Sequence, residues 1–244
     1  MSLNLKLTIL FSVLFVIGSF LTLLLYRFDI EKFKQSGLAK KIAMWVPIAA
    51  VFLLTISVGP ILEITMFAFV FCISILEFYR VDTTKKSKEN LIYLLFFLVG
   101  FSHLILIRLF LPDSIAILLF LVFSTVVSDI CGFFLGKTIG RHKLPESINS
   151  SKSWEGVGGQ ILGAFLGVLL IKYFIVLDGN VLMFLPIGLG STIGDLLNSR
   201  AKRIAGIKDW SNTLPGHGGF TDRFSSLAGS SLLLFYFLIL NLIK

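Results

Sequence analysis

Long apolar stretches separated by short polar ones organise the chain. The apolar runs cover residues 5–26, 42–59, 61–79, 91–111, 115–136, 156–177, 181–198 and 223–243. A helix rising 1.5 Å per residue needs about 20 residues to cross a hydrocarbon layer of roughly 30 Å, so the pattern predicts eight transmembrane helices. Only Gly59 and Pro60 separate the second run from the third, and that junction reads either as a tight hairpin or as a break within one long segment. Composition agrees with the pattern: 56% of the 244 residues are hydrophobic and 15% charged, outside the range of soluble domains. The expected fold is an all-α integral membrane protein, one polytopic domain over 1–244. Residues 1–112 form N-terminal helices, and 113–244 form the helices and loops that carry the chemistry. The first run has only Lys6 ahead of it and no small-residue cleavage site before Arg27, so it is expected to stay in the protein. Cys72 and Cys131 both fall inside apolar runs and read as packing residues.

Charge then orients the helices. Eighteen of the 22 Lys and Arg residues lie in alternate loops. Arg27, Lys32, Lys34, Lys40 and Lys41 are in the first; Arg80, Lys85, Lys86 and Lys88 in the third; Lys137, Arg141, Lys143 and Lys152 in the fifth; Arg200, Lys202, Arg203, Lys208 and Arg223 in the seventh. The intervening loops near Gly59, Asp113 and Asp178 hold none. Positive loops stay on the cytoplasmic side, which places the odd loops in the cytoplasm, both termini outside, and the chain in a cell (plasma) membrane. The net charge of +8 is thereby topological and calls for no nucleic acid. Basic loops at a bilayer surface attract anionic lipid headgroups, at about 1 kcal/mol per residue.

Three polar stripes interrupt the apolar pattern. The fifth run carries Thr125, Asp129, Gly132 and Gly136 on one helical face, and the seventh carries Ser191, Asp195, Asn198, Ser199, Lys202 and Arg203. The eighth opens with Asp222, Ser225, Ser226 and Gly229 directly after PGHGG, residues 215–219. A carboxylate facing lipid is costly, so the three stripes are expected to face one another around a cytoplasm-facing polar cavity between the C-terminal helices. Aspartates from separate helices offer hard oxygen ligands of the kind Mg²⁺ takes, with its other positions left to water and phosphate. Gly218 and Gly219 beside His217 let backbone amides approach an anion, and Lys202, Arg203, Lys208 and Arg223 add positive charge. Elsewhere, His103 reads as a packed residue, His142 as loop surface, and Gly159, Gly163 and Gly167 as a ridge for close helix packing. Glu63 and Glu77 read mainly as acids reaching the two interfaces.

The stretch GDLLNSRAKRIAGIKDWSNTLPGHGGFTDRFSS, from Gly194 to Ser226, resembles the signature of the CDP-diacylglycerol synthases, or phosphatidate cytidylyltransferases. Upstream, Asp129 through Gly136 and SKSWEGVGG at 151–159 resemble that family's second motif. The resemblance covers the C-terminal half. It implies that CTP and phosphatidate, or another anionic lipid phosphate, yield a CDP-lipid and pyrophosphate. It also implies Mg²⁺ held by Asp195 and Asp222, with a second cation left open. Asp195, Asp222, Lys208 and His217 would act at the reacting groups; Ser199, Lys202, Arg203, Gly218, Gly219 and Arg223 would bind substrate, as would Lys152, Trp154 and Glu155 in the upstream motif. Membrane lipids are implied partners, and a homodimer is left open. Two residues depart from the pattern, Asn198 where the family usually has glutamate and Ser225 where it has aspartate. They keep open a non-catalytic or altered-substrate relative; a CTP-dependent lipid kinase, which would release CDP instead, is a separate alternative. A transporter would carry its polar groups near the midplane, whereas these acids cluster at one face.

Overall fold

The computed structural model describes residues 3–35, 46–47, 50–52, 54–55, 58–81, 88–148, 151–176, 179–214 and 218–242. In chain order the helices are α1 (Leu3–Leu25), the short α2 (Ile30–Gln35), α3 (Pro60–Arg80), α4 (Lys88–Phe110), α5 (Ser114–Thr138), α6 (Trp154–Leu170), α7 (Phe184–Ile204) and α8 (Phe220–Leu242). A π-helical stretch, Ile171–Val176, prolongs α6, and a 3-10 turn, Val181–Met183, leads into α7. Among the described residues seven helices, all but α2, are long and apolar enough to cross a bilayer. The protein is therefore a multi-pass, all-α membrane protein. The predicted run 42–59 lies largely outside the described residues.

Local chemistry sets the helix ends. Gly59, at φ 124°, adopts a backbone conformation open mainly to glycine, and Pro60 follows at the first helical position of α3, where its missing N–H costs nothing. The seventh apolar run ends at 198, and the polar stripe beyond it stays helical, as expected for Ser199, Lys202 and Arg203, with α7 ending at Ile204. Its end is a Schellman motif: Gly206 takes φ 64°, its N–H donates to Arg203 O, and the Ile207 N–H donates to Lys202 O. Lys202 and Arg203 occupy the last turn, where the helix dipole favours cations. Ser199, Lys202 and Arg203 are thus helical, and the connecting loop shortens to 205–219.

Contacts at the helix ends fix the directions. At one end of the bundle, Lys6 Nζ donates to Ile175 O at 2.9 Å, and Arg108 pairs with buried Glu63 at 2.5 Å while reaching Ser114 Oγ at 3.0 Å. At the other, Lys137 Nζ lies 4.9 Å from the Tyr26 ring centre, Lys152 Nζ donates to Asp195 O, and Glu77 accepts from the first residues of α8. The second end carries the sequence motifs and is called the motif end below. The chain leaves α1 at the motif end and enters α3 at the far one. Glu63 therefore does not reach solvent as an interfacial acid; it is paired inside, and removing either member of such a pair costs about 3–5 kcal/mol.

Two kinds of packing hold the helices. Between α5 and α6 the glycine ridge works as expected: a Cβ on Gly163 would fall 2.6 Å from Val127 O, and one on Gly167 2.5 Å from Ser124 Cα. Helices in lipid gain nothing from burying apolar surface against each other, so close backbone approach supplies the attraction. Around α3 and α4 large rings do the filling. Phe101 stacks on Phe97 with centroids 5.7 Å apart and meets Phe67 and Phe224 edge-on at 6.0 and 5.6 Å. His103 is packed against Phe235 and Tyr236, with Nδ1 2.6 Å from Val99 O. Cys131 is half-buried and Cys72 is exposed on the outer surface of α3.

Candidate functional site

A cavity of about 1040 Å³ opens between the helices at the motif end. Its lining runs along α5 from Val122 to Lys137, about 22 Å of helix. One part of the wall is polar, with Asp129, Lys137, Lys143, Lys152, Gln160, Asp195, Asp222, Arg223 and Ser226. The other part is apolar, built by Phe11, Phe52, Met66, Phe67, Val70 and Val122 from α1, α3, α5 and the described residues before Gly59.

The three polar stripes do meet. Asp129 Oδ1 accepts from Ser226 Oγ on α8 at 3.0 Å, Ser191 Oγ on α7 at 3.2 Å and Gln160 Nε2 on α6 at 3.3 Å. The same Gln160 amide lies 3.4 Å from Asp195 Oδ2, so one side-chain donor ties the two acids together. Lys152 forms an ion pair with Asp195. It stands two residues ahead of α6, in a segment fixed by the isolated bridge between Lys143 and Ser153 and by Ser153 Oγ capping Gly156 N–H at 3.2 Å.

Asp222 has a different surrounding. Its Oδ1 pairs with Lys202 Nζ at 2.5 Å, and its Oδ2 accepts the backbone N–H groups of Trp210 at 2.8 Å and Gly219 at 3.0 Å. Gly218, at φ 81°, bridges back to Leu214 and turns the chain into α8. Asp222 thus organises the loop while also lining the cavity. Asp195, with its side chain 32% exposed, and Asp222, with its carboxylate closed in by Lys202 and two amides, lie along one cavity on two helices; carboxylates are the ligands a hard cation takes beside water and phosphate. Among the described residues no three His, Cys, Asp or Glu side chains form a ready-made cage for a metal ion.

The other predicted residues are distributed less evenly. Lys152, Asp195, Asp222 and Arg223 line the cavity, and Lys202 touches it through Asp222. Ser199 is buried outside the lining, and Arg203 and Lys208 are exposed at the motif end. Trp154 is 60% exposed, and Glu155 turns to the upstream loop, accepting from His142 N at 3.1 Å with its Oε1 2.7 Å from His142 Nδ1. His217 lies outside the described residues. The two departures belong to stripes expected to face the polar cavity. Instead Asn198 and Ser225, each 2% exposed, bond to each other at 3.3 Å, and Asn198 Oδ1 accepts Trp210 Nε1 at 2.7 Å. They form a neutral, satisfied pair outside the cavity lining.

Four residues of consequence escaped the sequence reading. Lys137 and Lys143 were taken only as topological charge. Gln160 is a lone polar residue within an apolar run, the usual mark of an inward-facing group. Glu77 was read as an interfacial acid and is buried instead.

The cytidylyltransferase family's sequence profile matches residues 3–241. The chain belongs to the cytidylyltransferase family. Among its relatives, a phosphatidate cytidylyltransferase of Mycobacterium leprae is 36% identical over 116 residues, 46% of this chain and 37% of that protein. One of Synechocystis is 38% identical over 119 residues, covering 47% and 40%. One of Brucella suis is 34% identical over 146 residues, covering 58% and 54%. The chain spans about half or less of the length of these curated relatives. Family membership accounts for the N-terminal helices as well as the motif half, since the profile extends over both.

Proposed function

We propose that the protein transfers the cytidylyl group of CTP to phosphatidate, giving CDP-diacylglycerol and pyrophosphate in phospholipid biosynthesis. The observation that carries this reading is the composite wall of one cavity: Asp195, Asp222, Lys152 and Arg223 on one side, and Phe11, Phe52, Met66 and Val70 on the other. A triphosphate suits the first and an acyl chain the second. The family profile and the relatives' names support the same assignment.

In this reading an oxygen of the lipid phosphate attacks the α-phosphorus of CTP, and the bond to the bridging oxygen breaks to release pyrophosphate. No covalent intermediate with the protein is formed. The work of the side chains is placement and charge neutralisation. Lys152 and Arg223 face the phosphates. Gln160 and Ser226 hold Asp129 and Asp195 in register, and Lys202 with the amides of Trp210 and Gly219 fixes Asp222. Asp195 and Asp222 would hold Mg²⁺, which when bound lowers the repulsion between anionic reactants. The apolar wall would keep the lipid's chain at bilayer depth while its phosphate reaches the motif end.

The proposal includes an eight-span topology with the motif end in the cytoplasm of a plasma-membrane protein. The opposite ends at which the chain leaves α1 and enters α3 support it, as does the alternation of basic loops. The test is incubation of purified protein with α-labelled CTP, Mg²⁺ and phosphatidate. Labelled CDP-diacylglycerol with pyrophosphate is expected; labelled CDP with a phosphorylated lipid, or no labelled product, would overturn the assignment.

A further inference from the structure

Glu77 sits on α3, in the half of the chain that supplies none of the motifs, yet it is only 1% exposed. Its carboxylate accepts Ser211 Oγ at 2.7 Å, the Phe220 N–H at 2.8 Å and the Thr221 N–H at 2.9 Å. The N–H groups of a helix's first turn have no partners within the helix, and that end favours negative charge. For α8 an acid from a different helix fills the role. The fit leaves no slack: a Cβ on Gly219 would fall 2.6 Å from both Glu77 oxygens.

A second carboxylate holds the same segment from the other side. Asp222 accepts the N–H groups of Gly219 and Trp210, so Gly219, Phe220 and Thr221 donate in succession to one acid and then the other. Glu77 sets where α8 begins, and Asp222, one and two residues beyond the amides Glu77 holds, is presented to the cavity from that start. Trp210 extends the arrangement. Its ring lies between Phe78, next to Glu77, at 5.8 Å and Tyr93 of α4, stacked at 5.7 Å.

We infer that Glu77 is a positioning residue of the site: it anchors the motif loop and the start of α8 to α3, and thereby fixes the direction in which Asp222 faces the cavity. The kinetic consequence rests on the cytidylyl-transfer reading; the structural one does not.

The test uses the full chain in detergent and the variant Glu77→Gln, which keeps the shape and removes the charge. In hydrogen–deuterium exchange, peptides covering 205–214 and 218–223 are expected to exchange about tenfold faster, because local opening sets exchange where hydrogen bonds are lost, while α5 and α6 peptides are unchanged. Faster exchange confined to 220–221, with the amides of Trp210 and Gly219 as protected as in the parent, overturns the inference whether or not the chain uses CTP. In the transfer assay kcat is expected to fall about 10- to 100-fold, the scale on which small displacements at a reacting centre act, with the KM for CTP unchanged. An unchanged kcat per folded molecule would leave Glu77 a simple cap and overturn it too. Should Glu77→Gln not fold, Ser211→Ala removes one of the three bonds and leaves both helix amides held. Because Ser211 Oγ also accepts the Thr213 N–H at 3.2 Å, this variant is read at the amides of Trp210 and Gly219, which are expected to exchange faster by a smaller factor; parent-like exchange at both counts against the inference. Absence of transfer by the unmodified protein sinks the functional reading alone, since the exchange arm is read without substrate.

Discussion

Helices α5 to α8 and helices α1, α3 and α4 solve packing in a membrane by opposite means. The C-terminal group is joined through small residues, with Gly163 and Gly167 against α5 and Gly190 against Gly229, and its interior is studded with buried hydroxyls such as Ser124, Ser128, Ser191, Ser226 and Ser230. The N-terminal group is filled by Phe67, Phe97 and Phe101, with its buried polar residues, among them Glu63, Glu77, Asn90 and His103, set singly along α3 and α4. Backbone contact leaves little freedom to shift, and three aspartates that must keep fixed spacing sit where that contact is closest. Bulky apolar side chains build a wall instead, and the cavity takes its greasy side from them. The two groups meet at Glu77 and Trp210, where an acid and a ring system join a plain apolar helix to the motif loop.

That division can be broken most severely at the acids. Asp195→Asn is expected to lower transfer about a hundredfold to a thousandfold, the scale of losing one preorganised charge-stabilising group, with the protein still monodisperse by size-exclusion chromatography. A variant with parental rates would remove Asp195 from the chemistry. Next comes the packing itself. Gly163→Leu places a side chain where even a Cβ finds Val127 O at 2.6 Å, and overpacking of this kind costs about 1–3 kcal/mol or more. Thermal unfolding in detergent should begin at a clearly lower temperature; an unshifted transition would mean the ridge is not load-carrying for α5 against α6. Val122→Phe narrows the apolar wall and is expected to raise the KM for phosphatidate about fivefold to tenfold, on the scale of small changes in an apolar pocket, without altering that for CTP. If both constants move together, the wall is not reserved for the lipid. The smallest effect is expected at the departure from the family pattern. Ser225→Asp should leave the Mg²⁺ dependence of transfer unchanged, because position 225 faces Asn198; a gain in apparent Mg²⁺ affinity would return it to the metal site.

Seven of the eight expected spans, their order and the meeting of three polar stripes were legible from periodicity, because a helix in lipid must hide its acids and the pattern shows which face does so. Asp195, Asp222, Lys152 and Arg223 follow from that argument and from the resemblance. What stayed hidden depends on contacts between residues remote in sequence. Glu77 looked like any acid near an interface, and only the fold reveals that its partners are 134 to 144 residues away. That Lys202 and Arg203 continue the helix was legible in the polar stripe they share with Asp195; where the helix stops was not, because it is set by the turn at Gly206. Asn198 and Ser225 look like missing acids in one dimension, and in three they satisfy each other and Trp210.

The cavity's ion pairs have a further meaning in terms of electroneutrality. Among the described residues its lining carries Asp129, Asp195 and Asp222 against Lys137, Lys143, Lys152 and Arg223, a surplus of one positive charge. Lys152 is paired with Asp195, and Lys202 behind the wall with Asp222. Such a pocket is nearly balanced before anything enters, so a polyanionic ligand overdraws its positive charge. Under the proposed function a triphosphate would bring its own compensation, and occupancy is expected to respond to the ions in solution as well as to the ligand itself.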